Sequence, residues 1–238
     1  MGCPGYKDFE NGSYPNNEIG AISIYRRGKG FISPLKISFK GDPDANAQFG
    51  TSVAINSEGK VAVGTRIGIV ELYDQKQKDG PPNVPFRVLG GDLNLDPVPD
   101  NFGWSVALND DDWLAVGAIK QDGGNGSVFL WRNLNTEPEE IPAPAAARED
   151  CRSLVDGVYV KGNCEFGYSV AFSGKNLVVG SRSTRRQAGR AFVYDLTLDD
   201  FKDKVQSLPA NPPDGSEFGF SVAMTDEAVV VGSRKYSV

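Results

Sequence analysis

Side-chain oxygens at alternate positions are the first residues of this 238-residue sequence that could do chemistry. In the stretch GDLNLDPVPD they belong to Asp92, Asn94 and Asp96. Carboxylate and amide oxygens at this spacing are typical ligands of Ca²⁺. The stretch lacks the glycine that turns an EF-type calcium loop, so an ordinary polar connection is the alternative. Ca²⁺ is the one cofactor that the sequence suggests.

Catalytic machinery of the common kinds is absent from the sequence. The chain contains no histidine, which excludes Ser-His-Asp and Cys-His pairs and any histidine-based metal site. Nothing in the spacing of its 31 acidic residues marks one carboxyl as an acid and another as a base. We therefore expect no enzymatic activity.

Two of the three cysteines, Cys151 and Cys164, enclose a segment that resembles a strand with its lead-in. A disulfide between them would stabilise the fold by about 3 kcal/mol through the entropy of the unfolded chain. Two thiols are the alternative, and Cys3 is left over.

The charge balance points away from nucleic acid and membranes. With 25 basic and 31 acidic residues, the chain lacks the clustered positive field that phosphate binding needs. No apolar run approaches the roughly 20 residues of a membrane span, and no signal peptide is visible. The densest basic patch, RSTRRQ, contains Arg182, Arg185 and Arg186. It is either an exposed loop or a contact for an acidic partner.

A repeated phrase predicts the elements that position these residues. Phe-Gly, one variable residue and Ser-Val-Ala occur four times, beginning at Phe49-Gly50, Phe102-Gly103, Phe166-Gly167 and Phe218-Gly219. Each copy continues with a polar turn and a Val-rich run that ends in Gly. Short apolar runs bounded by turn residues predict strands. Tandem units of about 50 to 60 residues with four strands each predict a β-propeller.

Packing accounts for the residues inside each unit. We expect the Phe to lie between neighbouring blades, the Gly to let two backbones approach, and the small Ser and Ala to fit a crowded inner strand. The segment DGVYVKG (156–162) is predicted to be a fourth strand. The Pro- and Ala-rich segment 136–150 is predicted to be an extended insertion.

These phrases resemble the FG-GAP repeats of integrin α-subunit propellers and related extracellular proteins, over nearly the whole chain. The resemblance implies a propeller that typically has seven blades and a role like that of a ligand-binding head. Integrin-type repeats can hold Ca²⁺ in an Asp-rich turn between the first two strands. Here those turns are too short to surround an ion, so the metal loop of the family does not transfer to them.

The predicted fold class is therefore all-β, with four-stranded antiparallel blades in a single domain. Three full blades (49–101, 102–165 and 166–217) lie between two half blades (1–48 and 218–238). The halves either complete each other in a closed four-bladed ring or belong to a larger propeller of about seven blades.

Two glycosylation sequons, at Asn11 and Asn125, fall in equivalent connections between second and third strands. With the cysteine pair and the resemblance, they favour an extracellular or cell-surface glycoprotein. We predict a non-catalytic interaction module in adhesion or recognition, which presents propeller loops to a protein or glycan partner. One alternative is a structural subunit that contacts other subunits of an extracellular assembly or fibre. A third is an accessory domain of an enzyme.

Overall fold

Short antiparallel strands make up most of the chain, which confirms the all-β class. Val-rich runs form them because β-branched side chains pack well on a pleated surface. The computed structural model describes residues 2–3, 20–28, 30–35, 37–40, 48–76, 84–90, 101–151, 153–155, 158–160, 163–184, 188–208 and 213–235. Every structural statement below concerns these residues.

The N-terminal sheet contains β1 (Gly2–Cys3), β2 (Ala21–Gly28), β3 (Gly30–Leu35) and β4 (Ile37–Lys40). Its order is β1-β2-β3, and β4 also pairs with β2. Gly2 lies opposite Ile22 in this sheet, as Gly64 lies opposite Val70 in the next one. Thus β1 has the place of a second blade strand and β2 the place of a third.

Three further sheets each contain four strands paired in chain order. One has β5 (Ser52–Ile55), β6 (Lys60–Gly64), β7 (Ile69–Asp74) and β8 (Arg87–Gly90). The next has β9 (Phe102–Leu108), β10 (Leu114–Ala118), β11 (Ser127–Trp131) and β12 (Glu139–Pro142). After the hairpin β13 (Ser153–Val155) and β14 (Val158–Val160), the third has β15 (Phe166–Ser173), β16 (Asn176–Ser181), β17 (Arg190–Asp195) and β18 (Gln206–Ser207).

A last hairpin, β19 (Phe218–Met224) and β20 (Val229–Ser233), has the place of the first two strands of a blade. The first strands β5, β9, β15 and β19 pack against one another in succession. This order is compatible with propeller blades whose first strands are innermost. Among the described residues β20 pairs with β19, whereas β2 pairs with β1, β3 and β4. Within the described ranges, the two incomplete sheets are therefore not joined to each other by strand pairing.

Each Phe-Gly pair lies at the joint between two sheets. Phe102 is fully buried in a cluster that includes Leu72 of the preceding sheet and Trp131 of its own. The carbonyl of Gly103 accepts a hydrogen bond of 2.8 Å from the hydroxyl of Ser52. Equivalent bonds, of 2.7 and 2.9 Å, join Ser105 to Gly167 and Ser169 to Gly219. The repeated Ser therefore ties every complete sheet to the Phe-Gly of the sheet that follows.

Two local predictions were wrong. The fourth strand beside β11 is β12 at 139–142, whereas Val158–Val160 pairs with Ser153–Val155 in a separate hairpin. The segment 136–150 is not extended throughout, because Ala145–Asp150 forms helix α2 directly after Pro144. Alanine favours the helix, and Pro144 is compatible with the position before its first turn. A second short helical turn, α1 (Gln121–Gly124), follows β10.

Candidate functional site

A row of three aromatic rings crosses three neighbouring blades at one end of their first strands. Trp104, Tyr168 and Phe220 occupy the variable position of the repeated phrase, and all three are half-buried. The ring centroids are 5.4 Å apart for Trp104 and Tyr168 and 5.2 Å apart for Tyr168 and Phe220. Aromatic pairs are favourable at these distances. We call these three residues the aromatic row.

An arginine lies over each ring of the aromatic row. The distance from guanidinium carbon to ring centroid is 5.6 Å for Arg66, 4.3 Å for Arg182 and 4.9 Å for Arg234. Each arginine comes two residues after the repeated glycine near the end of a second strand. In the last two of these blades, antiparallel pairing brings the end of the second strand beside the start of the first strand, so Arg182 and Arg234 lie over rings of their own blades. Arg66 instead lies over Trp104 of the following blade. Together the three arginines form a series of cation–π contacts along this edge.

Two buried carboxylates lie beneath these cations. Glu165 and Glu217 directly precede Phe-Gly, and their relative exposures are only 5% and 4%. Their φ angles of 54° and 58° lie in the left-handed region, which a side chain other than glycine adopts rarely. The contacts of both carboxylates with basic side chains compensate for their burial.

Glu165 is contacted by four side chains. Its Oε2 accepts hydrogen bonds from Arg182 Nε at 2.5 Å and from Ser183 Oγ at 2.7 Å. Its Oε1 accepts a hydrogen bond of 3.2 Å from Asn163 Nδ2 and lies 3.5 Å from Lys120 Nζ. Burial alone would raise the pKa of Glu165. The bonds from Arg182 and Ser183, with the charges of Arg182 and Lys120, outweigh burial and hold this pKa below its usual range. The carboxylate therefore stays ionised at neutral pH.

Glu217 has the same arrangement one blade further on. Arg234 Nη2 lies 2.9 Å from Oε2, Lys235 Nζ lies 2.8 Å from Oε1, and Arg182 Nη1 lies 3.8 Å from Oε2. Burial opposes ionisation here too, but hydrogen bonds from Lys235 and Arg234 lower the pKa of Glu217 below its usual range. Arg182 therefore lies between the carboxylates of two neighbouring blades.

The earlier copies of the repeat have neutral residues in the place of these acids, Gln48 and Asn101. Arg66 donates a hydrogen bond of 3.2 Å to Gln48 Oε1, and the described contacts of Arg66 include no carboxylate. The basic side chains along this edge, which we call the cationic rim, are Arg66, Lys120, Arg182, Arg234 and Lys235. The rim combines more cations than carboxylates, and Arg66 is its least compensated member.

One segment of the chain matches a known family. Residues 98–131 match the FG-GAP repeat. This segment contains β9, β10, β11 and Trp104 of the aromatic row. FG-GAP repeats form propeller-type modules that are often found in extracellular or adhesion proteins and are typically non-catalytic. No curated protein matches the chain.

Of the predicted partner contacts, only Arg182 can be placed. Its guanidinium is half-buried, stacked on Tyr168 and bound to Glu165. Its charge therefore contributes first to the joint between two neighbouring blades. Arg185 and Arg186 lie outside the described residues, so their partner contact stays a prediction.

A disulfide joins Cys151 to Cys164, with 5.3 Å between the Cα atoms. Cys151 follows α2, and Cys164 is fully buried immediately before Glu165. The carbonyl of Cys164 accepts a hydrogen bond of 2.9 Å from Ser181 Oγ. The disulfide thus fastens the insertion after β12 to the rim, next to its buried carboxylate.

The structure argues against the predicted glycan at Asn125. This residue is 6% exposed, and its Nδ2 donates a hydrogen bond of 2.6 Å to Asp122. Ser127 of the same sequon is fully buried and donates to Glu140. A glycan needs that Nδ2 and open space around it. Asn11, the other predicted site, lies outside the described residues.

We expect Asn125 to be unmodified when the chain is produced in a glycosylating secretory host. Peptide mass spectrometry before and after enzymatic deglycosylation measures this directly. N125Q is expected to leave the glycan content of the protein unchanged, with N11Q as the matched variant of the other sequon. A glycan found on Asn125 would contradict the position of this side chain.

The predicted metal ligands Asp92, Asn94 and Asp96 lie outside the described residues, so Ca²⁺ binding there stays a prediction. A different acidic stretch, the turn 110–112, lies within the described residues. Asp110 accepts a hydrogen bond of 2.8 Å from the backbone of Ser57, and Asp112 pairs with Lys60. This turn therefore links two blades. Within the described ranges no group of three or more acidic or cysteine side chains is suited to hold a metal ion.

A recess of about 310 Å³ lies at the opposite end of the blades and includes Lys60, Phe86, Asp112 and Arg132 in its lining. Three of its four charged side chains are engaged within the protein. Lys60 pairs with Asp112, and Arg132 donates a hydrogen bond of 2.6 Å to the carbonyl of Leu196. The recess is therefore a weaker candidate for ligand binding than the cationic rim. None of the described helices is long and apolar enough to span a membrane.

Sequence reasoning missed the buried carboxylates of the rim. Charge density directed attention to the loop after Arg182, whereas Glu165 lies 17 residues earlier in the chain. A partial signal was present, because both copies with Glu before Phe-Gly also have Arg two residues after the glycine of the second strand. Arg66 has the same place in a copy with Gln48, so the arginine alone does not indicate a carboxylate partner.

Proposed function

We propose that this chain is a non-catalytic interaction module of the cell surface or extracellular space, and that its cationic rim binds an acidic protein or glycan. The observation that carries the proposal is the layered construction of the rim. Carboxylates are buried below, and basic side chains lie above them and extend to the surface. The occurrence of FG-GAP repeats in extracellular and adhesion proteins supports the proposed setting.

The charge of the rim is opposite to that of the whole chain. The protein has a net charge of −6, but the two rim carboxylates are almost inaccessible to solvent. Arg66, Arg234 and Lys235 are exposed. A partner that approaches this edge therefore meets guanidinium and ammonium groups first. Local positive potential on an acidic protein steers an acidic partner towards one orientation.

The aromatic row restricts the conformations of the arginine side chains that lie over it. A guanidinium held over a ring has fewer conformations to lose when it binds a carboxylate or sulfate. Arginine also offers paired N–H donors that match the two oxygens of such a group. The rings are covered by one another and by the arginines, which leaves charge and hydrogen bonding as the main means of recognition.

Binding is tested with two probes, a polyglutamate peptide and a sulfated oligosaccharide, by isothermal titration calorimetry. We expect one of them to bind, with affinity that falls as salt rises. Arg66→Gln is expected to weaken binding about tenfold, because it removes one charge-assisted hydrogen bond of ~1.5 kcal/mol. This variant leaves no carboxylate without its described partner.

Lys204→Gln is the matched control. Lys204 is an exposed lysine between β17 and β18, and within the described residues its ammonium pairs only with the exposed carboxylate of Asp200. It should not change the affinity for either probe. Preference for the peptide or for the oligosaccharide assigns the partner to proteins or glycans. Failure of both probes to bind, or equal losses in R66Q and K204Q, would overturn the proposal.

A further inference from the structure

The outer face of the last hairpin is apolar and exposed. Ser221 lies opposite Gly232, and Ala223 lies opposite Val230, so these four residues share one face of β19–β20. Ser221 and Ala223 are exposed, and Val230 is 66% exposed. We call this surface the hairpin face.

The same face of every complete blade is covered by the blade that follows. Val178 has the place of Val230 in the preceding blade, and it is fully buried. Gly180 has the place of Gly232 and lies against the carbonyl of Gly219. The hairpin face therefore corresponds to a surface that is buried in each of the three complete blades. None of the described residues covers it in the last hairpin.

An apolar gap lies at the other end of the row of sheets. It is a cavity of about 320 Å³ between β2 and β5, lined by Ile22, Ile24, Val53 and Ile55 among others. Val53 and Ile55 are 38% and 56% exposed, although they lie on an innermost strand. Val106, which has the place of Val53 in the next blade, is only 8% exposed. The gap thus exposes side chains that are covered at the next joint.

The hairpin face and the gap are complementary. The gap has a third strand, β2, on one side and the first strand of the next blade, β5, on the other. In complete blades, the first two strands fill the space between these elements. In the described part of the chain, the hairpin β19–β20 presents those two strands without a third beside them.

We propose that the hairpin β19–β20 of one copy of this chain occupies the gap of a second copy, which produces a head-to-tail contact. In this contact β20 of one copy would pair with β2 of the other as β6 pairs with β7. Gly232 would then lie opposite Ile22, and Val230 would lie opposite Ile24. The incoming β20 replaces β1, which pairs with β2 through only two residues. Ser221 then donates to the carbonyl of Gly50, as Ser52 donates to Gly103.

The hairpin face could in principle fill the gap of its own chain and close a ring. The strand pairing of the described residues favours a second copy instead. The hairpin face is open and β20 has only β19 as its described strand partner, while the gap next to β5 is also open. Both surfaces are present on every copy. One contact covers the hairpin face of the first copy and the gap of the second, and leaves the other surface of each copy open. Such heterologous contacts join identical chains in rings or filaments.

The test is self-association of the full 238-residue chain, measured by sedimentation velocity over a range of concentrations. We expect reversible association. Val230→Lys on the hairpin face and Ile55→Lys in the gap should each weaken it about tenfold or more, because each would bury an unpaired charge at the contact. Both residues are exposed in the single chain, so circular dichroism should show that the variants fold. Val84→Lys, at a residue that is 50% exposed and belongs to neither surface, is the matched control.

Mixing the two variants identifies the direction of the contact. V230K retains an intact gap and I55K retains an intact hairpin face, so a mixture should associate more strongly than either variant alone. A chain that stays monomeric at all concentrations would overturn the proposal, as closure within one chain predicts. Association that is lost in V230K but unchanged in I55K would also overturn it, because that result indicates contact between two hairpin faces.

Discussion

Replacing Gly117 by alanine is expected to lower the free energy of unfolding by about 3 kcal/mol. A Cβ at this position would lie 2.1 Å from the carbonyl oxygen of Gly167 and 2.4 Å from Ser105 Oγ. The carbonyl belongs to the backbone of the next blade, so it can move away only if the two blades separate. That movement would also break the hydrogen bond from Ser105 to Gly167. Urea denaturation followed by circular dichroism measures the loss.

Gly232→Ala is the matched control for this experiment. Gly232 has the same place in the last copy of the repeat, but the nearest atoms to its added Cβ all belong to Ser221, with the hydroxyl oxygen at 2.3 Å. A hydroxyl can rotate away, so the expected loss is less than about 1 kcal/mol. The comparison is made in dilute solution to exclude self-association. Equal losses in the two variants would show that close contact between blades is not what requires glycine in the repeat.

The repeat made most of the fold predictable from sequence. Phe-Gly, Ser-Val-Ala and the glycine near the end of the second strand have fixed roles in every joint, so one physical explanation applies to all copies. Outer strands lack this constraint. Both Glu139–Pro142 and Val158–Val160 could have paired with β11, and local pattern favoured the second because it is richer in Val. The structure pairs the first, which follows β11 more closely in the chain.

The candidate site was less predictable because its partners are distant in sequence. Arg182 was identified from the charge of its loop. That observation does not indicate that Arg182 lies between Glu165 and Glu217 of successive blades. That position depends on antiparallel pairing within a blade and on the spacing between blades. Composition also concealed the rim, since the whole chain is acidic.

Glu165→Gln is expected to lower the free energy of unfolding at pH 7 by about 2 kcal/mol. This loss is smaller than that for breaking a fully enclosed ion pair, because Arg182 is partly exposed to solvent. Glutamine keeps the size of the side chain but removes the charge that Arg182 and Lys120 face. The pKa of Glu165 is lower in the folded chain than its ordinary value of 4.5. Its ionised form therefore stabilises the fold above that pH, and this contribution is lost as pH falls through 4.5 towards the folded pKa.

The difference in stability between wild type and E165Q should accordingly be largest near neutral pH and diminish below pH 4.5. Glu139→Gln is the matched control, because Glu139 is 40% exposed and pairs with Lys202 at 2.9 Å on the surface. Its loss should stay within about 0.5 kcal/mol and fall with added salt. A difference for E165Q that is constant from pH 7 to pH 3 would mean that glutamine acts through shape or lost hydrogen bonds. The carboxylate charge would then not be what joins the blades beneath the rim.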